Sequence, residues 1–241
     1  MTDDSLAAAE KALLDIRGDI LMCKRCPLHA DRNKAVPGAG SPRASIALIG
    51  EAPGRNEDRE GVPFIGNAGK KLDEWLDAAG LLREHLFITN VLHCLPTDGF
   101  PQDDQTAATV DRCRDHLERQ LAVVKPAALI LLGKQALAHV LLRGTTEQAA
   151  PFDKWVGQVC RRRDLFGEAR IGVAWHPAYI LRKWSAREES ACISVFKKIR
   201  AFVLAKQKGE PAPLTDLHEI RPAAPTAFQH RLHLFGEGSA T

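Results

Sequence analysis

The sequence predicts an α/β domain with three αβα layers, in which helices cover both faces of a central four-stranded parallel sheet. Two observations predict this class. Four short apolar runs have the length and composition of buried strands, and segments with helical periodicity lie between them. Strands that alternate with helices in this way form parallel sheets. We expect one domain over residues 1–207 and a proline-containing tail over 208–241 that is disordered or packed only in part.

The predicted strands are the apolar runs at 44–50, 86–91, 127–133 and 170–175. Three of them end beside a polar side chain, Glu51, Asn90 or His176. The carboxyl ends of parallel strands meet at one edge of the sheet, where open α/β sheets bind their ligands. An acid, an amide and an imidazole at that edge can hold a planar heterocycle that forms hydrogen bonds. Each residue alone is also explained as a turn former or a cap, so the prediction rests on all three together.

Apolar residues at helical spacing predict the helices that cover the sheet. They predict helices at 4–22, 105–124 and 185–206, a short one at 134–142, and one that ends at Gly80. The stretch at 28–43 is predicted as a loop, and 143–167 as irregular with a short edge strand near Trp155 and Val156. Within it, the arginine run at 161–163 predicts a solvated segment, with phosphate contact as the alternative.

A glycine-rich loop at 61–69 lies between the first strand and the helix that ends at Gly80, and it carries one aromatic residue, Phe64. Glycine lets backbone approach a ligand closely, and an aromatic ring offers the ligand a flat apolar face. Phe64 is also explained as a core residue, but its small, weakly apolar neighbours favour exposure in a cleft. The loop is therefore predicted to form one wall of the site.

Composition limits the partners and the compartment. The chain has 241 residues and a formal net charge of only +3, so any nucleic-acid contact must come from a local patch. The N-terminus opens on acids without the basic and apolar regions of a signal peptide, and no apolar stretch is long enough to cross a membrane. We expect a cytoplasmic protein without a membrane partner.

The six cysteines are predicted to be metal ligands or buried thiols, since disulfides are rare in the cytosol. Cys23 and Cys26 form a Cys-x-x-Cys pair before Pro27, and such a turn points two sulfurs at one metal. Cys160 and Cys192 are predicted to be plain thiols. Spacing alone does not decide between zinc and an iron-sulfur cluster.

An ordered series of motifs resembles the iron-sulfur uracil-DNA glycosylases, family 4 of their superfamily. The resemblance covers about residues 10–205. Its motifs are 50–54 with Glu57 and Asp58, the loop at 61–69, Thr89-Asn90-Val91, and His176-Pro177-Ala178 followed by 179–182. Four cysteines are in the order of the family's cluster ligands: Cys23, Cys26, Cys94 and Cys113.

This resemblance implies a uracil-DNA glycosylase-like fold and a monofunctional enzyme of base-excision repair. Such an enzyme hydrolyses the bond between deoxyribose and uracil and leaves an abasic site. The implied cofactor is a 4Fe-4S cluster on the four cysteines, with zinc in the same site as the alternative. The implied partner is uracil-containing DNA, single- or double-stranded, bound by a monomer.

The resemblance also assigns roles to residues of the predicted site. Phe64 stacks on the extruded uracil, Asn90 reads its edge, and Ala52 belongs to the motif that contacts the substrate. His176 stabilises the uracil anion. Glu51, helped by Glu57, orients water toward C1′ and offsets positive charge on the sugar.

The segment after His176 is implied to contact DNA. Its four residues, Tyr179, Ile180, Leu181 and Arg182, resemble the family's DNA-inserting loop. Ile180 or Leu181 is predicted to fill the space that the base leaves.

Two other functions are compatible with parts of the pattern. A catalytically weak or inactive DNA-binding module would keep the fold and the metal, and Ala178, where many superfamily members have serine, is compatible with it. The joint presence of Glu51, Asn90 and His176 argues against that alternative. A small-molecule α/β enzyme is disfavoured because a complete dinucleotide or P-loop signature is missing.

Overall fold

A computed structural model describes residues 3–97, 99–100, 104–143, 151–211, 213 and 218–221, with the side chains of 104–107 excepted. None of the described helices is both long and apolar enough to cross a membrane.

The described strands form a sheet of seven strands in the order β1-β3-β2-β4-β6-β5-β7. The strands are β1 (Ala39–Gly40), β2 (Ile46–Gly50), β3 (Leu86–Asn90), β4 (Ala128–Leu132), β5 (Val159–Arg161), β6 (Arg170–Ala174) and β7 (His218–Glu219). The four central strands, β3, β2, β4 and β6, are parallel. The predicted α/β class and its four parallel strands are therefore confirmed. Short strands extend this central sheet at both edges, where the sequence predicted one edge strand near Trp155 and Val156.

The edge strands were not predicted, or were misplaced, because they are too short for an apolar pattern. β1 has two residues and pairs antiparallel with β3 inside the segment predicted as a loop. β5 begins at Val159 rather than near Trp155, since Trp155 is buried at the end of a 3₁₀ turn. β7 belongs to the tail and pairs with β5, and the next residue, Ile220, is buried. This part of the tail is packed, and 222–241 lie outside the described residues.

The helices are α1 (Asp3–Leu21), α2 (Arg55–Glu60), α3 (Asn67–Ala79), α4 (Asp104–Val124), α5 (Lys134–Ala136), α6 (Arg163–Phe166), α7 (Pro177–Arg182) and α8 (Ala186–Lys208). A π-helical turn at Leu137–Leu141 continues α5. All five predicted helices are present. The sequence did not predict α2 because its six residues, all polar or charged, have no apolar stripe. It did not predict α7 because 179–182 resembled a loop.

Every residue of the four central strands is buried, and alternate side chains enter two separate cores. Ala47 and Ile49 of β2 point into the core that includes α4. Ile46 and Leu48 point into the core formed with α3 and α8. This arrangement explains why the strands are continuously apolar, and it gives the sheet a fixed carboxyl edge.

The arginine run is only partly a surface segment. Arg162 is 3% exposed, and its guanidinium donates to the carbonyl oxygens of Leu141 and Arg143. The prediction of a solvated run is therefore wrong for Arg162. It fixes the end of the π-helical turn to β5.

Candidate active site

A pocket of about 300 Å3 opens at the carboxyl edge of the parallel strands. The predicted strand-end residues Glu51, Asn90 and His176 all line it, so the sheet brings them together. The register explains this convergence, since Gly50 on β2 is level with Asn90 on β3. Other predicted residues in its wall are Ala52, Glu57, Phe64 and Arg182.

The backbone of the glycine-rich loop is held in an unusual conformation at Phe64. Phe64 has φ of 53°, in the left-handed region that non-glycine residues adopt rarely. Glu57 Oε1 accepts hydrogen bonds from the amides of Ile65 and Gly66 at 2.9 and 2.8 Å. A β-carbon on Gly69 would lie 1.9 Å from the Phe64 carbonyl oxygen, so only glycine permits this approach. The ring of Phe64 lines the pocket, with its centroid 5.7 Å from that of His176. Phe64 is only 5% exposed and belongs to the core formed with α3 and α8, so the predicted exposure of this residue in a cleft is wrong.

Asn90 lies at the bottom of the pocket with an acceptor that has no protein partner. Its side chain is 2% exposed, and Oδ1 is buried without a hydrogen bond among the described residues. A buried, unpaired amide oxygen costs about 1–3 kcal/mol, which a bound ligand with an N–H donor can recover. Gly50 leaves the space for this amide, since a β-carbon there would lie 2.4 Å from Asn90 Oδ1 and 2.5 Å from Phe64 Cζ.

His176 is held as a neutral imidazole with a defined tautomer. Its Nδ1 accepts a hydrogen bond from the backbone N–H of Ala178 at 3.2 Å, which caps α7. Burial, reinforced by the charge of Arg182, lowers the pKa of His176 to about 4. At neutral pH the proton therefore resides on Nε2, which is left to donate to a ligand.

The two acids of the pocket are in different environments. Burial raises the pKa of Glu51, and the charge of Arg182 opposes this shift. The charge of Arg182 therefore favours the carboxylate form of Glu51 in a partly desolvated site. Glu57 is 7% exposed, and its Oε1 is committed to the amides of the Phe64 loop. Its contacts assign Glu57 the support of the loop before any action on water.

The segment predicted to contact DNA is the short helix α7, and its four side chains point in different directions. Ile180 is fully buried in the core beside α3 and α8, so the prediction that it can fill the space left by a base is wrong. Leu181 is 48% exposed and keeps that prediction. Tyr179 stacks on Trp175 with ring centroids 4.1 Å apart, and Arg182 lines the pocket.

The four predicted cluster ligands line a second, smaller cavity between α1, the loop after β3 and α4. Three of the four sulfurs each have a nitrogen donor as a hydrogen-bond partner. Arg32 Nη1 donates to Cys94 Sγ at 3.0 Å, Arg25 bonds to Cys23, and the backbone of His93 bonds to Cys113. Among the described side chains, no group of three or more histidines, cysteines, aspartates or glutamates is placed to hold a metal ion.

The other two cysteines lie outside this cavity, as predicted for plain thiols. Cys160 is buried in the core that includes α4, and Cys192 in the core that includes α8. Substitutions at these two cysteines can therefore serve as controls for substitutions at the four thiols of the cavity.

Several residues that complete the pocket were not singled out from the sequence. Leu95, Pro96 and Phe100 also line the pocket, in a turn-rich segment without a recognisable pattern. Arg83 contacts the Phe64 loop from a 3₁₀ turn. A single arginine in a polar turn gives no sequence signal, because its role depends on a contact across 19 residues of chain.

Comparison with known proteins places this geometry in a family. Residues 37–200 match the family model described as the uracil DNA glycosylase superfamily. The chain is 37% identical to the type-4 uracil-DNA glycosylase of Archaeoglobus fulgidus over 82% of its own length and 96% of that relative's. It is 34% identical to the type-4 enzyme of Sulfurisphaera tokodaii, over 82% of this chain and 87% of the relative. The type-4 enzyme of Thermotoga maritima is 31% identical over 75% and 89% of the two chains.

Proposed function

The chain belongs to the type-4 uracil-DNA glycosylases of the uracil DNA glycosylase superfamily, and we propose that it removes uracil from DNA in base-excision repair. The reaction is hydrolysis of the N-glycosidic bond of deoxyuridine, which releases uracil and leaves an abasic site. One observation carries the assignment of residues: Glu51, Asn90, His176 and Phe64 line the same pocket. The single- or double-stranded substrate and the monomeric state stay predictions.

Recognition of uracil is assigned to Asn90 and Phe64. The unpartnered Oδ1 of Asn90 accepts from N3–H of uracil, while its amide nitrogen donates to O4. Cytosine presents the reverse pattern, with an acceptor at N3 and a donor at N4, so it leaves both groups of the amide unpaired. Phe64 supplies the apolar face on which the base stacks.

Bond cleavage is assigned to His176 and Glu51. The neutral imidazole donates from Nε2 to O2 of the base and stabilises the negative charge that develops as the bond breaks. The Glu51 carboxylate orients water toward C1′ and offsets the positive charge on the sugar. The positive charge of Arg182 lowers the pKa of Glu51 and so favours that carboxylate.

Extrusion of the base is assigned to α7. Unstacking a base costs a few kcal/mol, and an apolar side chain that takes its place offsets part of this cost. Leu181 is the exposed apolar residue of α7, and Arg182 beside it carries a positive charge that suits the phosphate backbone.

We also propose that Cys23, Cys26, Cys94 and Cys113 hold a 4Fe-4S cluster. A tetrahedral zinc site needs four sulfurs about 2.3 Å from one point, whereas a cluster takes one thiolate at each of four irons. The four thiols line one cavity and are in the chain order of the family's cluster ligands, which supports the cluster. When bound, the cluster supplies a redox-active group that links the end of α1 to α4.

The test is excision from a labelled oligonucleotide with one deoxyuridine, followed by hot alkali and gel separation of the cleaved product. Wild type is compared with Glu51→Ala, Asn90→Ala and His176→Ala, and oligonucleotides with thymine or cytosine at the same position are the controls. We expect cleavage at uracil alone. Removing the His176 donor is expected to lower kcat by about 10²- to 10³-fold.

Two outcomes would contradict the proposal in different ways. If wild type with confirmed iron content leaves uracil in the DNA, catalysis on this base is wrong, and oligonucleotide binding would indicate a non-catalytic module. If uracil is released but the three variants keep full activity, the residue assignments are wrong.

A further inference from the structure

A second clamp on the Phe64 loop lies outside the residues assigned so far. Arg83 Nη2 donates to the carbonyl oxygens of Pro63 and Phe64 at 2.9 and 2.8 Å. Arg83 Nη1 donates to the Asp73 carboxylate of α3 at 2.7 Å. One guanidinium therefore joins the loop to a helix of the protein core.

The two clamps hold opposite polar groups of the same turn. Glu57 accepts from the amides of Ile65 and Gly66, which follow Phe64, whereas Arg83 donates to the carbonyls of Phe64 and the residue before it. Hydrogen bonds with one charged partner are about twice as strong as neutral ones, and these fix donors and acceptors on both sides of one residue.

This arrangement explains how Phe64 keeps a left-handed backbone. A φ of 53° in a residue with a β-carbon persists only where surrounding contacts enforce it. Without Arg83, two carbonyl oxygens of the turn lose a charged donor, and the peptide between Pro63 and Phe64 is free to rotate. The ring would then leave the position that places it in the pocket.

We propose that Arg83, oriented by Asp73, is a positioning residue that fixes the Phe64 ring where uracil stacks. This role rests on the proposed function. Arg83 itself does not line the pocket, so it acts through the loop. Lysine cannot replace it fully, because an ammonium lacks the planar fork that reaches two carbonyls and a carboxylate together.

The test combines kinetics with a measurement of the loop that needs no substrate. Arg83→Gln is expected to lower kcat/KM for uracil excision about tenfold, the effect of one lost charge-assisted hydrogen bond. In a Phe64→Ala background the same substitution is expected to cost less than about twofold, since its effect passes through the ring. Arg83→Lys and Asp73→Asn are expected to give smaller losses of kcat/KM. If Arg83→Gln is unstable, these two variants replace it in both measurements.

Hydrogen exchange of the peptide covering 61–69 provides the second measurement. It is expected to accelerate in Arg83→Gln and to stay unchanged in Arg119→Gln. Arg119 is a matched control, because its guanidinium also pairs with an aspartate of a neighbouring helix, Asp19 of α1 at 2.7 Å, and its side chain is 39% exposed against 33% for Arg83.

An equal loss of activity with and without the Phe64 ring would overturn the positioning role, as would unchanged exchange in the loop. A wild type that releases no uracil would overturn the proposed function alone, and the exchange measurement would still decide whether Arg83 holds the loop.

Discussion

The uracil pocket and the cysteine cavity are built on different principles. In the pocket, Glu57, Phe64 and His176 are each held by hydrogen bonds to or from backbone groups. In the cysteine cavity, Nε2 of His93 and both ring nitrogens of His116 are buried without a hydrogen-bond partner among the described residues. The protein's own contacts hold Glu57, Phe64 and His176 and leave one buried acceptor of the pocket, Asn90 Oδ1, without a partner among the described residues. The cavity leaves three ring nitrogens unpaired beside its four thiols, so it depends more on a further group to complete it.

This difference predicts opposite responses to substitution. Changes in the pocket should reduce activity and leave the fold and the iron content intact. Changes in the cavity should reduce iron content and stability first, because burial of polar groups that lack partners is unfavourable. The experiments below can confirm or break this division, and they run from the largest expected effect to the smallest.

The largest effect is expected from Cys113→Ala. Burial raises the pKa of the Cys113 thiol to about 12, so a thiolate there needs a cationic partner such as a metal. Losing this ligand is expected to remove the cluster and lower the thermal midpoint by more than about 5 °C. Iron analysis, visible absorption and thermal unfolding measure these changes.

Cys160→Ala is the matched control, since Cys160 is also buried but lies outside the cavity. It is expected to keep its iron. If both variants retain full iron and similar midpoints, Cys113 is not a cluster ligand and the contrast between the two sites fails.

Next in size is Gly50→Ala, which tests whether the pocket is set by close packing. The added methyl group would lie within 2.5 Å of Asn90 and Phe64, so one of them must move. We expect kcat/KM to fall about 30- to 100-fold, because moving a catalytic or binding group by about 1 Å reduces activity by this order. Iron content is expected to stay at the wild-type level.

Gly18→Ala provides the control for a glycine change in itself, because a β-carbon there meets nothing within 4 Å. Activity in this control should match wild type. Wild-type activity of Gly50→Ala would show that the pocket adapts, contrary to the contrast drawn above.

The sequence predicts the central sheet and the residues at its edge, but not the packing around them. The apolar runs predict the four parallel strands and their shared edge, because buried strands have a distinctive composition. The polar strand ends then predict Glu51, Asn90 and His176 in one site. Side-chain direction within α7 was not predictable, since exposure of Leu181 and burial of Ile180 depend on how that helix packs. The contact of Arg83 with the loop likewise depends on tertiary packing alone.

A smaller effect is expected from Arg182→Gln, and it is measured as a change in the pH dependence of kcat/KM. The charge of Arg182 lowers the pKa of Glu51, so its removal raises that pKa further above the ordinary value. The active forms are the Glu51 carboxylate and the neutral His176 imidazole, and Arg182 lowers the pKa of both groups. The acid limb of kcat/KM should therefore move to higher pH when Arg182 is removed. Lys183→Gln, which removes an exposed cation that does not line the pocket, should leave the limb in place. An acid limb at the wild-type pH in Arg182→Gln would separate Arg182 from Glu51.

The smallest effect is expected from Arg32→Gln, which sharpens the account of the cysteine cavity. Arg32 donates to Cys94 Sγ from one nitrogen and to the carbonyl oxygen of Leu21, at the end of α1, from another. A cationic donor on a ligand sulfur favours the reduced, more negative cluster, so losing it should lower the reduction potential by on the order of tens of millivolts. Lys24→Gln removes an exposed cation next to Cys23 in the sequence. Lys24 makes no hydrogen bond to a sulfur among the described residues, so this variant tests the loss of charge without the loss of a hydrogen bond. Equal shifts in the two variants, measured by redox titration of the cluster absorption, would assign the effect to charge alone. A shift confined to Arg32→Gln would show that the hydrogen bond to Cys94 is responsible, since only that variant removes it.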